Sequence, residues 1–264
     1  MKVATWNVNS IRTRRDHVLA FLDHATPDVL ALQETKATVD QFPAQAFADA
    51  GYGAAVSGQK TYNGVAFLYR NGLEPAWVTR GFPDDEDDAP ARLIAARFGP
   101  LSLVNIYLPN GSEVGSEKYD YKLAWMQRLR DWLDHEFDPE EPVALVGDFN
   151  VATEDRDVYD PDAFRDRVLF SEPEKEALEG IRAWGFSDCF RRHHDEAGLY
   201  SWWDYRMNQF RRGNGLRIDH VWGSEPAAGA CTACDIHVAP RRWERPSDHA
   251  PVVAEFDLNG AHNG

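Results

Sequence analysis

The chain has 264 residues, a formal net charge of −15, and 43% hydrophobic and 12% aromatic content. That suits a globular protein with a sizeable core, and three cysteines are too few for a disulfide framework. The overall charge disfavours a polyanionic partner. Yet residues 182 to 245 carry ten arginines against eight acids, and arginine outnumbers lysine 22 to 6; composition therefore permits a local anion site without establishing one.

The amino terminus, MKVATWNVNSIRTRR, passes straight into strand-like alternation and lacks the apolar stretch and cleavage site of a signal peptide. No later segment approaches a membrane span, so the expectation is a cytoplasmic protein with no membrane partner. Taken in order, VATWNV reads as a strand, residues 12 to 24 as a helix with Val18, Leu19, Phe21 and Leu22 on one side, and DVLALQE and GVAFLYR as strands. DDEDD at 84 to 88 is a solvated loop, followed by the strands RLIAARF and LSLVNIYLP. Residues 117 to 136 place Tyr121, Trp125, Leu129, Trp132 and Leu133 at helical spacing. VALVGDF is a buried strand, and 151 to 168 an acidic surface connection. Ser171 and Glu174 form a Ser-x-x-Glu capping box ahead of a helix through Trp184. LRIDHVWG, CDIHVAP and PVVAEFDL complete the strands, with NGAHNG as a frayed tail. The irregular alternation favours two packed sheets flanked by helices over a doubly wound parallel sheet. We find no repeat and no linker, which predicts one domain over 1–258 and a short tail at 259–264.

Polar residues gather at the strand ends. In ALVGDFN, Asp148 and Asn150 are two apart and share a face, with Phe149 turned away. Alone this is weak, because such residues also begin turns. Asn7 and Asn9 in TWNVN, Glu34 after VLALQ, Tyr107 and Asn110 in YLPN, Asp219 in RIDH, and Asp248 and His249 in PSDH follow the same habit. Each reads singly as a turn residue or a satisfied core group. Together they supply the carboxylates, amides, phenol and imidazole that a hard-cation and phosphate site requires.

The ordered series WNVNS, LQETK, YLPNG, GDFN, SWWDYR, GLRIDHVW and PSDHAPV resembles the exonuclease III family of DNA-repair nucleases, a branch of the endonuclease/exonuclease/phosphatase superfamily. The match runs from residue 1 to about 257. The resemblance implies a DNase I-like four-layer α/β sandwich, with two mostly antiparallel sheets flanked by helices. It also implies a divalent metal, usually Mg2+ with Mn2+ as a substitute. The expected substrate is double-stranded DNA with abasic sites or 3′ ends, cut at P–O3′ bonds by a monomer. Carried over residue by residue, Glu34 is the principal metal ligand with Asn7 and Asp248 nearby, and Asp148, Asn150 and His249 are candidates for a second metal. Asn9 stands where some members carry Asp. Asp148 addresses the attacking water, Asn150 a reacting oxygen, and Asp219 and His249 form a carboxylate–imidazole pair. His249 either takes the water's proton or stays charged and grips the phosphate, and Asp148 is the base, the acid for the leaving group or a second-metal ligand. Tyr107 and Asn110 contact phosphate. Trp202, Leu216 and Ile218 line the pocket for a flipped sugar, Trp203 belongs to the core, and Arg206, Arg211, Arg212 and Arg217 provide a positive surface.

Three rival readings exist. Phosphatases of inositol phosphates and sphingomyelinases share the metal core but do not need SWWDYR or GLRID. A non-catalytic RNA-binding regulator uses the same fold without a complete metal site. Cys231, Cys234 and His237 in CTACDIH suggest zinc, but a structural site takes four ligands and no fourth is near in sequence, so structural cysteines are the better reading.

Overall fold

The computed structural model describes residues 1–258; the tail expected at 259–264 lies outside them. In chain order the strands are β1 (Lys2–Asn7), β2 (Val29–Gln33), β3 (Tyr52–Ser57), β4 (Val65–Arg70), β5 (Val78–Arg80) and β6 (Leu93–Phe98). Then come β7 (Leu101–Tyr107), β8 (Val143–Asp148), β9 (Phe186–Asp188), β10 (Asp219–Ser224), β11 (Cys231–Ile236) and β12 (Val252–Phe256). The helices are α1 (Ile11–Ala25), α2 (Ala44–Asp49), α3 (Glu117–Glu136), α4 (Pro161–Phe164), α5 (Glu172–Arg182), α6 (Gln209–Arg212) and α7 (Glu225–Ala230).

Two six-stranded sheets form, in the orders β11-β12-β1-β2-β4-β3 and β5-β6-β7-β8-β10-β9. Each contains one parallel pair, β1 with β2 and β7 with β8, among antiparallel neighbours. Their inner faces meet in a core that includes Val3, Ala31 and Phe67 from one sheet and Ile94, Leu103 and Val146 from the other. Phe21, Leu22 and Phe47 of α1 and α2 cover the outer face of the first sheet. Trp125, Leu129, Leu178 and Ile181 of α3 and α5 cover that of the second. Burial of these faces drives the four-layer arrangement.

The parallel pairs matter most for function. Parallel neighbours end at the same edge of a sheet, so Asn7 lies beside Gln33 and Tyr107 beside Asp148. β10 enters from the opposite direction and begins at that edge, with Asp219 beside Asp148. A buried amide pair links the sheets just beneath: Gln33 Nε2 donates to Asn105 Oδ1 at 2.7 Å, and Asn105 Nδ2 donates to the carbonyls of Leu32 and Ala66 at 3.1 Å each. Gly147 permits the tight approach of β8 to β7: at φ 140, a Cβ there would lie 2.0 Å from the Ile106 carbonyl oxygen.

Every strand run read from the sequence is present, as are the helices at 11–25 and 117–136 and the capping box at Ser171. Strands β3, β5 and β9 were not anticipated, because YGAAVS carries little β-branched or aromatic signal and the other two span three residues each. On α3 the inward stripe differs from expectation: Tyr121 is 44% exposed and Lys122 is buried beside Tyr119, Trp125 and Met126. The 151–168 connection is only partly on the surface, since Val151, Ala152, Asp157 and Val158 are buried.

Candidate active site

The shared strand edge carries a compact polar group. Asn7, at the end of β1, donates from Nδ2 to Glu34 Oε1 and to Asp148 Oδ2, both at 2.8 Å. The Asn9 backbone N–H donates to Asn7 Oδ1 at 3.0 Å, which fixes the orientation of the amide. Asn7 therefore braces two carboxylates delivered by different sheets. Glu34 lies just past β2 in a left-handed conformation (φ 49), and its Oε2 is 2.8 Å from Lys36 Nζ. Lys36 also donates to Asn9 Oδ1 at 2.6 Å.

Asp148 and Asn150 do meet, for a reason other than strand alternation. The strand stops at Asp148, whose Oδ1 accepts the Asn150 backbone N–H at 2.9 Å. This Asx turn places Asn150 at φ 49. Asn150 Nδ2 donates to the Leu108 carbonyl at 2.9 Å and Oδ1 accepts from Asn110 Nδ2 at 3.1 Å. A side-chain amide has two N–H donors, so one remains for a ligand. Phe149 is buried against His220 and Trp222.

His249 is held from every side. Its Nδ1 lies 2.9 and 3.1 Å from the Asp219 oxygens, its Nε2 is 3.7 Å from Asp148 Oδ2, and its carbonyl accepts from Trp6 Nε1 at 3.1 Å. Burial alone would depress the imidazole, but Asp219 and Asp148 overcome it and raise the pKa to about 10. Burial pushes the Asp148 carboxyl up to about 7, against the lowering pull of His249 and with help from Asp219 and Glu34. The Tyr107 hydroxyl is driven well above its ordinary value by burial and by Glu34 and Asp148 beside it.

Glu34, Asp148 and His249 each offer one ligand atom, all within 4.8 Å of one another. Among the described residues this is the grouping of acids, histidines and cysteines tight enough for a metal ion. Asp248, expected beside Glu34, stands outside it. Its Oδ1 accepts from Asn9 Nδ2 and its Oδ2 from Trp202 Nε1, both at 3.0 Å. Burial would raise its carboxyl, but the charge of His249 and these bonds hold it below the usual range. The adjacent Asp248 and His249 thus serve different partners.

A family model described as the Endonuclease/Exonuclease/phosphatase family matches residues 4–249, an interval that includes each residue of this cluster. The chain belongs to that family. This family member is 35% identical to exodeoxyribonuclease III of Haemophilus influenzae, over 97% of this chain and all of that protein. An AP endonuclease from Archaeoglobus fulgidus superposes with a TM-score of 0.93 at 40% identity, covering 97% of this chain and 99% of the other. The 3′ phosphatase NExo from Neisseria, solved with a product DNA hairpin, gives the same TM-score, identity and coverage. Within the family this member is a phosphodiester-hydrolysing nuclease of the exonuclease III type, and the expected DNase I-like sandwich is the fold observed.

Two parts of this family member's expected DNA surface require correction. Leu216 and Ile218 are each 1% exposed, closed over by Val158, Leu169 and Phe170, so they form the floor beneath half-buried Trp202 rather than a pocket wall. Arg217 is fully buried. It pairs with Asp157 at 2.7 Å and with Asp188 at 2.8 Å, and Arg191 joins the same Asp157. These acids lie 60 and 29 positions away, and nothing local in GLRID signals the pairing. Arg206 is exposed but engaged by Asp204 at 2.5 Å, while Arg211 and Arg212 are exposed on α6. Trp203 is buried, edge-on to Phe210, as expected. Arg217→Met is therefore expected to lower unfolding free energy by about 3 kcal/mol, because it removes the shared partner of buried Asp157 and half-buried Asp188. Urea unfolding measures this; unchanged stability with weakened DNA binding would restore a surface role.

Lys36 and Ser247 escaped the sequence reading although both lie inside quoted motifs. Ser247 Oγ donates to the Asn7 carbonyl at 2.6 Å and accepts the His249 N–H at 3.2 Å, tying the two segments together. The zinc reading fails on geometry: His237 packs edge-on to Phe21, whereas Cys189, Cys231 and Cys234 lie buried in the inter-sheet core. Among the described residues no helix is long and apolar enough to cross a membrane.

Proposed function

We propose that this nuclease acts on double-stranded DNA bearing abasic sites or accessible 3′ ends and hydrolyses P–O3′ bonds with Mg2+ as its ion. The observation that carries the reading is the convergence of Glu34, Asp148 and His249, with the amide of Asn150 beside them, at one strand edge. An oxygen-rich set with two carboxylates fits a hard divalent cation, and Mn2+ satisfies the same donors. Glu34 and Asp148 would hold it, with Asn7 keeping the two carboxylates at a fixed spacing. Bound there, the ion supplies Lewis-acid neutralisation of a phosphate oxygen and of the leaving O3′.

The protein's own groups divide the remaining work. His249, charged at neutral pH and clamped by Asp219, grips a nonbridging phosphate oxygen through Nε2. A protonated imidazole is no base, so Asp148 accepts the proton of the attacking water on the oxygen that the ion would leave free. Asn150 donates its spare N–H to a reacting oxygen, with Asn110 holding its Oδ1. Trp202, fixed through Asp248 and packed on that closed apolar floor, offers its remaining exposed face to an extruded abasic sugar.

Turnover on three duplexes, one with an internal abasic site, one with a recessed 3′ end and one with a 3′-phosphate, tests this reading. Asn150→Ala and His249→Ala should each fall by about 10²–10³ while remaining folded. Near-normal turnover by either variant overturns the role given to it. Hydrolysis of inositol phosphates in preference to all three duplexes overturns the DNA reading itself.

A further inference from the structure

Lys122 joins the helical layer to the backbone of the site. It sits on the inward stripe of α3 and its side chain is fully buried. Its Nζ donates to the Asn150 carbonyl at 2.7 Å and to the Asn110 carbonyl at 3.2 Å, and it pairs with Glu174 of α5. An ammonium has three donors, and each has one acceptor here. Glu174 is equally committed: Oε1 accepts the Leu169 N–H at 3.1 Å, and Oε2 accepts from Ser171 N and Oγ at 3.0 and 2.6 Å. Replacing a buried ion pair with apolar residues of similar volume is often neutral or stabilising. Apolar residues, however, would leave the buried Asn150 carbonyl and the partly buried Asn110 carbonyl without this donor.

Those carbonyls belong to the two amides of the site. Asn110 and Asn150 bond each other through their side chains, and Asn150 sits at φ 49, an uncommon conformation for a residue other than glycine. Lys122 grips both backbones from its buried place on α3.

We infer that Lys122 is a positioning residue that sets the angle at which Asn150, braced by Asn110, presents its amide to the scissile phosphate, without itself touching substrate. The inference rests on the reading above that Asn150 faces a reacting oxygen. Displacement of such a group by about 1 Å costs on the order of 10²-fold in rate.

A double-mutant cycle on the abasic duplex tests it, using the full chain with Lys122→Met, Asn150→Ala and the two combined. Lys122→Met should lower kcat by about 30- to 100-fold with KM changed less than about threefold. Because Lys122 acts through Asn150, the combined variant should fall less than about threefold below Asn150→Ala alone. If Lys122→Met does not fold, Lys122→Met/Glu174→Gln takes its place, since it removes both charges and keeps an acceptor for the Ser171 N–H. A folded variant with kcat within about twofold of the parent, or losses that multiply in the combined variant, overturns the inference. Normal turnover by Asn150→Ala would instead overturn the placement of Asn150, whereas a loss in Asn150→Ala with multiplying effects refutes only the role of Lys122.

Discussion

Asp148→Asn is expected to fold normally and to lose about 10³-fold in kcat on an abasic duplex, within the range found for a positioned general base. The substitution keeps shape and the Asx turn, because an amide oxygen can still accept the Asn150 N–H now bound at 2.9 Å. It removes the negative charge that faces His249 Nε2 and the oxygen that accepts from Asn7. The sign of the pH dependence follows from the same geometry. Burial raises Asp148 to about 7, so below that pH a proton occupies the oxygens that a cation would take. Mn2+ affinity measured by calorimetry should fall as pH drops through about 7, and Asp148→Asn should flatten that dependence. A kcat within about tenfold of the parent would remove Asp148 from proton transfer.

Glu34→Gln should be comparably severe for a different reason. The isosteric amide can keep the bond from Asn7, so folding should be little changed, but one of two carboxylates is lost from the group that also contains Asp148 and His249. Hard cations favour ionised oxygen donors. Cleavage at millimolar Mg2+ is expected to fall by about 10³-fold or more, with part of the loss recovered by raising the metal concentration. A metal titration of turnover reads this directly. Parent-like activity at low Mg2+ would move the cation elsewhere. Any metal-dependent cleavage that Glu34→Gln abolishes also disposes of the non-catalytic regulator reading.

The sequence disclosed the strand ends better than the connections between them. Asn7, Glu34, Asp148, Asp219 and His249 were legible because each follows or precedes an apolar run, and two parallel pairs then bring those ends to one edge. The burial of Arg217 is illegible because a charged residue beside apolar neighbours gives no local sign that distant Asp157 and Asp188 neutralise it. Lys122 was hidden by the opposite habit: helical periodicity directed attention to Tyr121, one position away, although Lys122 shares the stripe of Tyr119 and Trp125. Asp248 shows a further limit. Its place in PSDH was plain, but only coordinates reveal that Asn9 and Trp202 occupy both of its oxygens.

The central claim is that one divalent ion sits between the carboxylates of Glu34 and Asp148, beside the imidazole of His249. Anomalous diffraction from crystals equilibrated with Mn2+ tests it most directly. The account predicts a manganese peak bonded to Glu34 and Asp148, with Asn7 and His249 bordering it. Peaks at saturating Mn2+ that lie only elsewhere on the molecule would contradict it.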